Sequence, residues 1–228
     1  HRMKTIWVLQ HTEAEYLGLM EDHFEGRNLR FRYFRPFAAG GMVPEVPGNA
    51  DGLILLGGGP YGIVSGHLLP SLGAELRLTR AFLEAGLPVL GFGLGALILC
   101  VAAGGGVEEA PLRFDVIDAQ ISGLDDAAPQ HLPIACYLRD RPLPGPTMKV
   151  VMTGPQDEVL GFAVGEKSLG ILGHVGMKSG MAEDLIMEFA ETPGDTLTGL
   201  TRLGQSQMQI AEALGPLMVA LVNRCGWM

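Results

Sequence analysis

Charge is scarce in this chain. Charged residues make up 18% of its 228 positions, against about a quarter in an average protein, and the balance is acidic, 25 Asp and Glu to 16 Lys and Arg. A formal charge of −9 leaves no excess to neutralise phosphates, which excludes a general nucleic-acid binder. The local cluster Arg27, Arg30, Arg32 and Arg35 reads as the exposed face of a strand and its turn. Cysteine is scarcer still. Cys100, Cys136 and Cys225 are odd in number, far apart and without metal-ligand spacing. No disulfide framework and no metal site are therefore expected, and a reduced, cytoplasmic protein is. An unbroken membrane span is also missing. The longest charge-free stretch, Ala85 to Val107, has the length of one, but Pro88 and Gly86, Gly91, Gly93, Gly95 and Gly104 to Gly106 interrupt it. His1-Arg2 ahead of Met3 reads as an addition before the start, not as a signal peptide.

What is abundant is glycine, at 33 residues, roughly twice the usual share. Hydrophobic residues reach 47% and mean hydropathy is +0.26, so disorder is excluded and a sizeable core is expected. Lys4 to Gln10 and Leu29 to Phe34 read as strands, with a helix over Glu13 to Glu25 between them. Asp51 to Leu56 is a continuous apolar run, as in a strand buried on both faces of a parallel sheet. A helix over Glu75 to Ala85, a strand over Pro88 to Leu90 and a helix from Leu94 to Ala103 follow. This alternation predicts an α/β fold, a three-layer sandwich with a mostly parallel central sheet and helices on both faces. Beyond Val107 strands dominate: Lys149 to Met152, Val159 to Val164 and Leu169 to Gly173, with Asp140 to Pro146 a turn cluster. Helices are expected over Ala182 to Glu191 and over Thr201 to Asn223, the second interrupted at Gly215-Pro216. No linker or internal repeat appears. Residues 1–228 are read as one domain, with 192–228 a C-terminal helical extension.

Three glycine-bearing segments stand out. Gly57-Gly58-Gly59-Pro60 follows a strand, Gly91-Phe92-Gly93-Leu94-Gly95 joins a strand to a helix, and His174 ends a late strand. A tight strand-to-helix turn with glycines two residues either side of a central position has the spacing of a nucleophile elbow. Here the central residue is Gly93, which has no side chain and so no nucleophile.

Pro88 to Gly95 resembles the elbow of the class I glutamine amidotransferase family, which carries Cys at the centre of Gly-x-Cys-x-Gly. Asp51 to Pro60 resembles that family's strand and oxyanion loop, and Leu169 to Gly176 its late strand ending in His-Pro-Glu. Ala135 to Asp140, followed by Leu143-Pro144, is a weaker echo of its Trp-His-Gly-Asp segment. These pieces keep the family's order over about Lys4 to Leu185. The resemblance implies a flavodoxin-like topology and a Cys–His–Glu chemistry, in which Cys attacks an amide, His takes its proton and Glu orients the His.

The departures from this pattern decide the functional expectation. The Cys position is Gly93 and the Glu position is Gly176, leaving His174 of the triad. A substrate-holding Gln position reads Leu97, and the weak His position reads Leu138. The oxyanion loop, through Gly58 and Gly59 with the N–H of Leu94, is expected to survive facing an apolar pocket. Cys100 lies two helical turns past Gly93 and cannot replace the nucleophile. The expectation is an amidotransferase-like protein without glutaminase activity, in a regulatory, binding or partner-subunit role. It would work with a protein partner or as a homo-oligomer, with a glutamine-like molecule as the small-ligand candidate. No cofactor is expected.

Two other readings remain open. The first is an enzyme of this fold acting on glutamine or a γ-glutamyl compound with altered chemistry, using His174. The second takes Gly91 to Ala96 as a Gly-x-Gly-x-x-Ala dinucleotide fingerprint, with Asp115 as the ribose-binding acid. In the C-terminal extension Ile210, Leu214, Leu217, Met218, Leu221 and Val222 share one helical face. That face packs on its own domain or docks a partner.

Overall fold

The structure is a computed structural model and describes residues 2–228. One nine-stranded sheet carries the molecule, in the order β2-β1-β3-β4-β11-β10-β9-β6-β7. β1 (Thr5–Leu9), β2 (Arg30–Phe34), β3 (Gly52–Leu55), β4 (Val89–Phe92) and β11 (Ser168–Ile171) pair in parallel. Their order is that of a flavodoxin-like doubly wound sheet. β10 (Val159–Val164), β9 (Lys149–Thr153), β6 (Arg113–Ile121) and β7 (His131–Leu138) extend it antiparallel. β3 and β4 are buried at every residue, which is why both read as unbroken apolar runs. A two-stranded ribbon, β5 (Gly106–Glu108) with β8 (Arg141–Leu143), lies apart; part of the expected turn cluster at 140–146 is thus strand.

The helices divide between the two faces. α2 (Leu72–Glu84) and α3 (Leu94–Ala102) pack on each other, while α1 (Met20–Glu25) and α4 (Ser179–Glu188) pack on α5 (Thr196–Cys225). α3 is apolar throughout, and Leu94 to Cys100 are all buried. α5 lies across β6 and β7 and buries Ile210, Leu214, Leu217, Met218, Leu221 and Val222 to 1% exposure or less. Its apolar face is therefore occupied by this chain's own sheet. No described helix is long and apolar enough to cross a membrane.

Two expected elements differ. The helix expected from Glu13 begins only at Met20. The amides of Glu13 and Ala14 go to the Glu188 carboxylate, that of Glu15 to Thr12 Oγ and that of Leu17 to the Tyr33 hydroxyl. Gly18 then adopts φ +61°. Side-chain hooks have replaced the i−4 carbonyls that a helix would use. Conversely, α5 runs unbroken through Pro216. The ring is exposed, and burial of Leu214, Leu217 and Met218 on either side outweighs the lost hydrogen bond.

Candidate functional site

The carboxyl ends of β1, β3, β4 and β11 lie side by side, and from them emerge Gln10 to Thr12, Gly57 to Gly59, Gly93 and Leu172 to His174. In an open α/β sheet this is the edge at which ligands bind.

The elbow is fully formed. Gly93 sits at φ +56°, ψ −122°, a region that favours glycine. Its N–H donates to the Ile171 carbonyl at 2.8 Å, and Gly95 N–H to Leu56 at 3.1 Å. The flanking glycines are sterically required. A Cβ on Gly91 would run into the Gly95 backbone, and one on Gly95 into the Leu55 carbonyl. A Cβ on Gly93 would meet only the Gly57 Cα at 3.4 Å, an ordinary contact. The turn therefore keeps both its conformation and the space for a side chain at its centre.

His174 lies at the end of the late strand, 2% exposed, with both ring nitrogens taken by backbone. Nδ1 accepts the Gly176 N–H at 3.0 Å, and Nε2 lies 2.6 Å from the Tyr16 carbonyl. That pairing fixes the neutral tautomer with hydrogen on Nε2. Burial drives its pKa down to about 4, with the Tyr16 carbonyl offsetting only part. The ring is a neutral tie between the late strand and the segment before α1. The surroundings of Gly176 are tight as well. A Cβ on Gly176 would stand 3.1 Å from the Leu17 carbonyl and the Met20 amide, and the Gly176 carbonyl already accepts Leu19 N–H at 3.0 Å.

The glycine loop is crowded from two sides. A Cβ on Gly58 would overlap the Leu94 side chain, and one on Gly59 would press on Phe189 and Leu185 at 3.1 and 3.2 Å. A Cβ on Gly57 would overlap the carboxylate of Glu15. Glu15 is 3% exposed and its Oε1 has no hydrogen-bond partner. Burial lifts its pKa to about 7; His11 and the nearby amides of Gly59 and Gly57 hold the charge in part, without satisfying that oxygen. On the same loop His11 Nδ1 faces the Gly57 carbonyl at 3.1 Å, and Nε2 meets Glu75 Oε1 at 2.5 Å. Glu75 also accepts the Ser71 hydroxyl at 2.5 Å. Burial opposes charge on His11, but Glu75, the Gly57 carbonyl and Glu15 outweigh it, and its pKa is raised. Both nitrogens then donate, and the buried imidazolium–carboxylate pair fixes the orientation of the Gly57 carbonyl.

The remaining sequence candidates are scattered. Leu97 and Leu138 are buried in the main apolar core. Cys100, Cys136 and Cys225 are buried free thiols whose pKa burial raises, the opposite of an activated thiolate. Asp115 lies on β6, four strands from β4 in the sheet, and pairs with Arg202 at 2.7 Å. It cannot serve a dinucleotide held at Gly91 to Ala96. Among the described residues no cluster of His, Cys, Asp or Glu is arranged to hold a metal. The sequence reading missed Glu15, His11 and Glu75. For Glu15 and His11 the available signal was the polar stretch Gln10 to Glu15 directly after β1, at the ligand-binding edge.

No family model matches the sequence, and no curated protein matches it either. Solved structures do. A glutamine amidotransferase from Methylobacillus flagellatus superposes with a TM-score of 0.81 at 17% identity, covering 98% of this chain and 96% of its own. One from Thermotoga maritima gives 0.78 at 22% identity, with 99% of each chain covered. A putative GMP synthase subunit from Thermoplasma acidophilum gives 0.62 at 16% identity, over 93% of this chain and 99% of its own. The chain has the fold of the class I glutamine amidotransferases.

Proposed function

We propose that this chain is an amidotransferase-like domain without glutaminase activity, one whose role is to bind rather than to catalyse. The carrying observation is the pairing of an elbow centred on Gly93 with a His174 whose two nitrogens are both held by backbone. Hydrolysis of an amide through this fold needs a nucleophile and a base able to take its proton. Gly93 supplies no nucleophile, and a histidine of pKa about 4, tied at Nε2 and Nδ1, supplies no base near neutrality. We read residues 1–228 as one domain, since α5 covers β6 and β7.

A binding role fits a scaffold that keeps its glycine loop and its turn while filling the site with its own side chains. By its name, the similar putative GMP synthase subunit is one part of a larger enzyme, which supports reading this chain too as one component of an assembly. The small-ligand candidate of this reading is a glutamine-like molecule. Incubation with glutamine, with ammonia followed by a coupled glutamate dehydrogenase assay, tests the proposal. No release above the protein-free rate is expected. Ammonia release by the unmodified protein, proportional to its concentration, would overturn the proposal and favour the altered-chemistry enzyme.

A further inference from the structure

The amino ends of the parallel strands, at the opposite edge of the sheet from Gly93, hold a cavity of about 650 Å³, within the size range of small-molecule sites. It is bounded by the last turn of α2 with Gly86 and Leu87, which lead into β4, by the end of α3, and by the β10–β11 turn from Gly165 to Ser168. Leu83, Leu87, Ala102, Ala103 and Val164 form an apolar wall, and each of them is only half-buried. A Cβ on Gly86 or on Gly165 would meet nothing within 4 Å, so the mouth is open on both sides.

The polar rim of this cavity accepts hydrogen bonds. Both α2 and α3 end here, and neither has a basic residue in its last turn, so two negative helix ends border the space uncompensated. Pro88 has no N–H to offer the Glu84 carbonyl four residues before it. Among the described residues no donor reaches the carbonyls of Glu84, Ala102 or Ala103. Two cations of the chain already sit on neighbouring carbonyls. Lys167 Nζ donates to Gly86 at 3.2 Å, and the Arg224 guanidinium donates to Gly165 at 2.9 Å and to Ser168 at 3.1 Å. Of the charges in the lining, Glu84 and Glu166 add to the negative potential, Arg80 opposes it, and Lys167 is committed to Gly86.

We infer that this cavity binds a small organic cation, a protonated primary amine carried on an apolar body. The wall takes the body, and the ammonium group donates to the carbonyls that the chain leaves free. An anionic head would face two helix C-termini and two glutamates, and an inorganic cation would gain nothing from the apolar wall. The inference is independent of glutaminase activity, because the cavity lies at the other end of the strands from Gly93 and His174.

Its test is isothermal titration calorimetry of the full chain with tryptamine, tryptophol and indolepropionate, which share an indole body and carry a cationic, a neutral and an anionic head. Saturable tryptamine binding is expected, with tryptophol at least about tenfold weaker and indolepropionate weaker still. Amide chemical-shift changes should centre on Gly86, Ala103 and Gly165. Glu84→Gln and Glu166→Gln, both at exposed positions, should each weaken tryptamine about two- to fivefold. Lys167→Met vacates the Gly86 carbonyl and should tighten binding, an effect that a merely structural role for Lys167 would not produce. The inference is overturned by an absence of saturable binding, by an equal or stronger response to indolepropionate, or by shifts confined to the Gly93 edge. Tryptamine affinity unchanged in all three variants overturns it as well.

Discussion

Glu15 and His174 titrate in opposite senses over one pH window, so replacing one should unmask the other. The Glu15 carboxyl moves from 4.5 to about 7 on folding, and the His174 imidazole from 6.5 to about 4. Each shift is roughly 2.5 units, or about 3 kcal/mol at 1.36 kcal/mol per unit. Between pH 4.5 and 6.5, folding takes up about one proton at Glu15 and releases about one at His174. The raised carboxyl favours the folded state as pH falls, by about 1.4 kcal/mol per unit. The depressed imidazole disfavours it by the same amount. In the unmodified protein the two cancel and contribute no slope. In Glu15→Gln the contribution opposing that of His174 is removed, and stability relative to the unmodified protein should rise by about 3 kcal/mol from pH 4.5 to pH 7. Urea unfolding at half-unit pH intervals, read by fluorescence of the buried Trp7 and Trp227, measures this difference. The other titrating groups are present in both proteins, so the difference reports Glu15 together with its coupling to His11. Parallel stability curves for the two proteins across that range would refute the reasoning.

Gly93→Cys should fold, since a Cβ there meets only Gly57 Cα, at a conformational cost of about 1–3 kcal/mol. It should still release no ammonia from glutamine because His174 is tied; activity restored by this one change would show that His174 can serve as a base. Gly57→Ala should destabilise by about 1–3 kcal/mol through overlap with the Glu15 carboxylate, and a double-mutant cycle with Glu15→Ala should recover much of that loss. Leu217→Ala, at a fully buried position on α5, should cost about 2–5 kcal/mol in urea unfolding. A chain ending at Glu191 should be insoluble, because β6 and β7 would lose their cover; a soluble truncation of unchanged oligomeric mass by size-exclusion chromatography would contradict the self-packing assigned to α5.

The sequence by itself determined the α/β class and the glycine-flanked turn centred on Gly93, while the order of the parallel strands came only from the resemblance to a known family. The first two rest on local signals. A four- to six-residue apolar run is a strand buried on both faces, and closely spaced glycines report a turn that tolerates no Cβ, as the clashes at Gly91 and Gly95 confirm. Local signals also misled. The apolar spacing from Tyr16 to Phe24 resembled a helix, yet Glu188 and Tyr33 captured the amides a first turn would have used, and Pro216 looked like a break that burial on α5 overrode. Only the tertiary structure decided the condition of the site. His174 Nε2 is bound to a carbonyl 158 residues away, His11 is held by Glu75 at a separation of 64 and Gly57 at 46, and Glu15 is buried against a glycine loop on another strand. A protonation state follows from desolvation and from the partners that folding brings together. Neither is encoded at the residue that titrates.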